Sequence, residues 1–177
     1  FLDTQSPAQA PHSVYASYAR DFHIGSLRRF YEQLVEQHSV DTVILMDGGT
    51  DSLLVGDEAD LGDPIEDLTS VAAVTDLPVE RTLLFTVGFG VDRFNGVSDA
   101  SSMRAVAELT RAGGYRGSIG IEPNSPGARF YAAAVDHIYE RQRFRSAATG
   151  FVLSAIDGAF GGAEAGVPAP LSQKLTE

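Results

Sequence analysis

The sequence predicts an α/β protein, a Rossmann-like three-layer sandwich with a mainly parallel sheet. Three observations carry this expectation. Helical and strand patterns alternate along the chain, as parallel strands joined by helical crossovers require. The strand candidates are short runs rich in apolar residues, and the first is unbroken, the type that suits a strand covered on both faces. The two strongest of these runs end in glycine and carboxylate residues, and ligands of open parallel sheets bind beyond such strand ends.

The elements follow in order. Residues 1–12, "FLDTQSPAQAPH", contain two prolines and little periodicity, and read as a linker or an irregular entry. In "SLRRFYEQLVEQH", Leu27, Phe30, Tyr31, Leu34 and Val35 recur at helical spacing and form one apolar stripe. "DTVILM" is the first strand and runs into Asp47. "DPIEDLTSVAAV" opens a helix, with Asp63 suited to the cap, Pro64 to the first helical position and Glu66 to a capping box. "RTLLFTV" is the second strand and ends in Gly88-Phe89-Gly90. "SDASSMRAVAELTRAGG" is a helix capped by Ser98 or Asp99 and stopped at Gly113. "YRGSIGI" is a third strand diluted by two glycines. A helix follows over "NSPGARFYAAAVDHIYERQR", then a further helical stretch in "TGFVLSAIDGAFGG" and a glycine-rich tail.

With 177 residues the chain reads as a single α/β domain, long enough to hide roughly 70% of its unfolded surface. It starts at Phe1 rather than Met, which reads as a portion of a longer protein. No apolar run approaches the ~20 residues of a membrane span. The net charge of -11 disfavours nucleic acid and anionic membranes as partners, because like charges repel. There is no Cys, which removes disulfides and thiol chemistry and fits the cytoplasm. The only Lys is Lys174, so neither a Schiff base nor a P-loop lysine is expected. No GxSxG elbow and no GxGxxG fingerprint is present. None of His12, His23, His38 and His137 has the spacing of a metal pair, and His23 reaches a site only if the segment before it folds over the sheet.

The chemistry concentrates at the strand ends. Residues 43–68, "VILMDGGTDSLLVGDEADLGDPIEDL", contain eight carboxylates and no basic residue. Asp47, Gly48, Gly49, Thr50 and Asp51 follow the first strand. Gly88, Gly90, Asp92 and Arg93 follow the second, and Glu122 follows the third. If these strands are neighbours, the carboxylates converge. Converging carboxylates call for a cation such as Mg²⁺ or Ca²⁺, a positive ligand group, or shifted pKa values. Asp47 and Asp51 are the candidate metal ligands, and Asp92 is a ligand or general base. Glycines 48, 49, 88 and 90 let a backbone approach the ligand, and Arg93 is the nearest anion contact. The acids from Asp57 to Asp67 read as a solvated face and helix start. "GGTDS" is also similar to the SGGxDS pyrophosphate loop of adenylating enzymes, but Asp47 stands where that loop has serine.

Taken together, "LMDGGTDSLLVGDEADLGDPIEDLTSVAAV" and "GFGVDRFNGV" resemble a prokaryotic family known as domain of unknown function eleven-fifty-two. The resemblance rests on Asp47, Gly48, Gly49 and Asp51; on Gly56, Asp57, Glu58, Leu61, Gly62, Pro64 and Asp67; and on Gly88, Phe89, Gly90 and Asp92. It implies a Rossmann-like fold, an upstream glycine-rich segment beyond this chain and continuation past Glu177. Asn95 stands where relatives are expected to carry His. The resemblance implies no reaction.

The expected function is an enzyme, a hydrolase or group transferase, binding a small polar or phosphorylated ligand with a divalent cation. The alternative is a non-catalytic ligand-binding or assembly subunit whose acidic loop docks a basic partner; an exposed sheet edge that needs covering motivates it, and a homo-oligomer is a further expectation.

Overall fold

A computed structural model describes residues 23–56, 64–142 and 145–158, together with 5, 11, 13–16 and 18. The expected linker, the Asp63 cap, the acids between 57 and 60, and the glycine-rich tail lie outside the described residues.

The described chain holds five α-helices and two strands, in the order helix, strand, helix, strand and then three helices, with two 3-10 turns at the strand ends. Helix α1 spans Ile24–His38 and is capped by His23, whose ring nitrogen accepts the Ser26 N–H while the Ser26 hydroxyl accepts the His23 N–H. His23 is therefore a helix cap, and it is exposed. Of the predicted stripe, Leu27 and Val35 are buried, and Phe30, Tyr31 and Leu34 are half-buried. Strand β1, Thr42–Asp47, follows, and helix α2, Pro64–Val74, carries the chain to strand β2, Arg81–Thr86. The strands pair in parallel, Thr42 opposite Arg81 through Asp47 opposite Thr86. The Val87 N–H extends the ladder to the Asp47 carbonyl at 3.0 Å, which holds the two strand ends level.

Opposed residues of a parallel pair share a face. Val43 and Leu45 turn toward α1 and α2 and pack in a core around Val35, Val74 and Leu77. Arg28 ties the two helices together, donating to the Ala72 carbonyl and pairing with Asp76, each at 2.9 Å. The opposite face presents Ile44, Met46 and Phe85, all exposed. A strand covered on both faces was expected, but among the described residues only one face is covered.

Beyond β2 the chain forms helix α3, Asp99–Arg111, capped by Ser98. Helix α4, Pro126–Tyr139, is capped by Ser125 with Pro126 at its start, and α5, Ala147–Ile156, is capped by Ser146. A second core joins Val91, Phe151 and Val152, so that α5 packs beside the turn after β2. Helix α3 lies against the turn after β1.

The third strand is a correction. Residues 115–121 form no strand, and among the described residues 116–121 make no main-chain hydrogen bond. Ile119 is 93% exposed. A strand is defined by the edge it pairs with, and among the described residues this segment pairs with none; apolar character alone does not supply that pairing. The coarse architecture is thus α/β, with a two-stranded parallel sheet among the described residues.

Candidate functional site

The two strand ends meet. After Asp47 the chain passes through Gly48 and Gly49 into a 3-10 turn, Asp51–Leu53, with Thr50 at its start. After β2, Gly88 has φ +91, and a Cβ there would lie 2.7 Å from Val91 Cγ2 and 2.8 Å from Val152 Cγ2. Only glycine fits both that backbone and that space. The chain then enters a second 3-10 turn, Val91–Asn95.

Asp92 joins the turns. Its carboxylate accepts the Thr50 N–H at 2.5 Å and the Thr50 hydroxyl at 3.2 Å. The Thr50 hydroxyl also lies 3.2 Å from the Ser102 hydroxyl on α3. Thr50, Asp92 and Ser102 are all buried. Gly49 permits this contact, since a Cβ there would stand 2.5 Å from each Asp92 oxygen.

A second set of contacts organises the other side of the first turn. The Ser52 hydroxyl donates to Asp47 Oδ2 at 2.6 Å, and the Ser52 N–H reaches the same oxygen at 3.4 Å. Asp51 is buried between these anchored residues. One oxygen each of Asp47, Asp51 and Asp67 lies within 4.8 Å of the others. Burial holds the Asp51 carboxyl above its ordinary range. The charges of Asp92 and Asp47 push it the same way, and hydrogen bonds from its own backbone and with Asp67 oppose them. Carboxyl groups this close share a proton, accept a cation, or repel. Three hard oxygen donors suit Mg²⁺, Ca²⁺ or Mn²⁺.

The other predicted residues sit as follows. Gly48 is open, its nearest neighbour for a Cβ being Ala148 at 3.9 Å. Gly90 is left-handed and starts the second turn. Arg93, expected as an anion contact, is a partner of Asp99: its Nε donates at 2.9 Å, and its Nη2 bonds the other carboxylate oxygen. Glu122 is exposed in the turn before α4 and is not among the clustered carboxylates. The Thr50 amide already serves Asp92, so the resemblance to a pyrophosphate loop lacks a donor that such a loop would aim at phosphate.

Reasoning from the residues alone missed Asp67, Ser52 and Ser102. Asp67 was read as part of a solvated face, although the family resemblance included it. The available signal was position: a helix that follows a parallel strand brings its first turn back to the strand's carboxyl end. For Ser52 and Ser102 there was none, because an isolated serine near a turn or helix start has many ordinary roles.

The family model described as protein of unknown function (DUF1152) matches residues 16–165. The chain belongs to this family. No curated protein and no solved structure matches it. No helix among the described residues is long and apolar enough to cross a membrane.

Proposed function

We propose that this DUF1152 protein is a cytoplasmic enzyme that holds a divalent cation, Mg²⁺ or Ca²⁺, among Asp47, Asp51 and Asp67. The cation seats a small polar or phosphorylated ligand at the carboxyl ends of the two strands. The observation that carries this reading is the cluster itself: three carboxylates drawn from a strand end, a turn and a helix start, one of them buried. Ionising Asp51 there is unfavourable unless positive charge compensates it, and a divalent ion supplies that charge.

Bound there, the cation would polarise an oxygen of the ligand. The protein's own residues do the rest. Ser52 fixes the orientation of Asp47, and α2 brings Asp67 against Asp51. Hydrolysis or group transfer is the reaction class that suits carboxylates and a hard cation in a chain without Cys. The parallel strands and the site at their ends also support a Rossmann-like three-layer sandwich, whose additional layer would cover Ile44, Met46 and Phe85.

Calorimetry with Mg²⁺, Ca²⁺ and Mn²⁺ tests the proposal. Wild type is expected to bind at least one of these ions, and Asp47→Asn to weaken that binding at least tenfold. An absence of binding, or binding indifferent to Asp47, would rule the cation out.

The exposed apolar face of the sheet favours a second reading, an assembly subunit without catalysis. Sedimentation separates the two: a stable oligomer that binds no cation supports assembly, and a cation-binding monomer supports the enzyme.

A further inference from the structure

We propose that Asp92 is a positioning residue: its carboxylate pins the Thr50 peptide and thereby sets the turn that presents Asp51 and Ser52 to Asp47. The part of this inference that concerns cation affinity rests on the function proposed above; the part that concerns the turn does not.

Three observations support it. First, both Thr50 donors are directed at Asp92, which is only 5% exposed. With its Oδ2 oxygen so engaged, Asp92 is held toward the backbone of the first turn, and the close cluster consists of Asp47, Asp51 and Asp67 instead. Second, the latch is built from three separate segments. Gly49 leaves room for the carboxylate, Asp92 comes from the turn after β2, and Ser102 reaches the same Thr50 hydroxyl from α3. Third, the choice of residue is informative. A neutral acceptor such as Asn would also satisfy the Thr50 amide and would not burden Asp51 with a like charge. A carboxylate here holds the turn and adds negative potential beside the cluster, which favours a cation. Groups that orient metal ligands without touching the metal are worth roughly 10–100-fold in affinity.

The first turn is thereby gripped from both sides. Asp92 holds it at Thr50, and Asp47 holds it at Ser52, one residue to either side of Asp51. Releasing the Thr50 side leaves Asp51 on a turn anchored only at Ser52.

The test uses two readouts on wild type, Asp92→Asn, Asp92→Ala, Gly49→Ala and Asp51→Asn. One is the Thr50 amide followed by NMR without metal, as chemical shift and exchange protection. The other is Mn²⁺ affinity followed by electron paramagnetic resonance. In wild type the Thr50 amide is expected downfield and protected. Asp92→Asn, which keeps an acceptor, retains most of the protection and loses less than about tenfold in Mn²⁺ affinity. Asp92→Ala and Gly49→Ala lose the protection and about 10–100-fold in affinity. Asp51→Asn loses affinity with the Thr50 amide intact.

If Asp92→Asn abolishes Mn²⁺ binding as fully as Asp51→Asn while Thr50 stays protected, Asp92 is a ligand and the inference fails. It also fails if the Thr50 amide exchanges like an open loop in wild type, or is insensitive to Asp92→Ala. If wild type binds no Mn²⁺, the function proposed above loses its cation, and the amide readout alone decides the latch. Gly49→Ala removes no acid, so its result stands if Asp92→Ala does not fold.

Discussion

Asp51 is the residue on which pH acts most directly. Its carboxyl titrates above the ordinary range in the folded chain, chiefly through burial. The folded state therefore binds this proton more tightly than the unfolded chain does. The resulting stability is fully present below the unfolded pKa and is lost as pH rises through the folded one. Asp51→Asn removes that dependence. The variant is expected to melt higher than wild type at pH 7, and the difference between them should shrink as pH falls toward 4. Each 1 kcal/mol relieved raises Tm by about 2–4 °C in a chain of this size. Calorimetric melts of both proteins across that range check the sign; a variant less stable at pH 7 would mean that Asp51 is held ionised. Adding Mg²⁺ should narrow the gap at pH 7 as well, since an ion that binds the folded wild type stabilises it. At this scale the sequence was partly legible. An apolar strand running into Asp47, two glycines and Asp51 announced a turn where charge collects. The partner of Asp92 was not legible, because nothing local to Asp92 indicates Thr50, 42 residues away. Arg93 shows the converse, its guanidinium satisfied by Asp99 only six residues on.

Helices were the most legible elements, because their signals are local. The Ser125-Pro126 start is an example. The Ser125 hydroxyl accepts the Ala128 N–H at 3.2 Å, and Pro126 occupies a position where its missing donor is not needed. Ser125→Ala should lower stability by about 1 kcal/mol in urea unfolding, with Ser125→Gly milder. An unchanged stability in Ser125→Ala would mean that the cap bond contributes nothing. Ser98 and Ser146 cap their helices in the same way. Strands depend on distant partners, and there the sequence was less informative. "RTLLFTV" finds β1 and becomes a strand, whereas "YRGSIGI", diluted by Gly117 and Gly120, pairs with no edge among the described residues.

Across the molecule, the packed core and the carboxylate cluster occupy different places. The core around Val35, Val74 and Leu77 lies on one side of the sheet, while the carboxylates gather at its end. Leu77→Ala should cost about 2–5 kcal/mol, as large-to-small changes in packed cores do. Ile119→Ser, at an almost fully exposed position, should stay within about 0.5 kcal/mol of wild type. Urea titrations of both variants check the contrast, and a large loss from Ile119→Ser would show that 115–121 is covered in solution. The alternating order of elements made the α/β class readable, because parallel pairing needs crossovers. The extent of the sheet was not readable, because it depends on which edges meet.

The proposed function stands on Asp47, Asp51 and Asp67 holding a divalent ion together. Anomalous diffraction from crystals grown with Mn²⁺ addresses it most directly. A single strong peak is expected within ligand distance, about 2.0–2.6 Å, of oxygens from all three carboxylates. Fully occupied Mn²⁺ elsewhere, with this cluster empty at saturating metal, would contradict it.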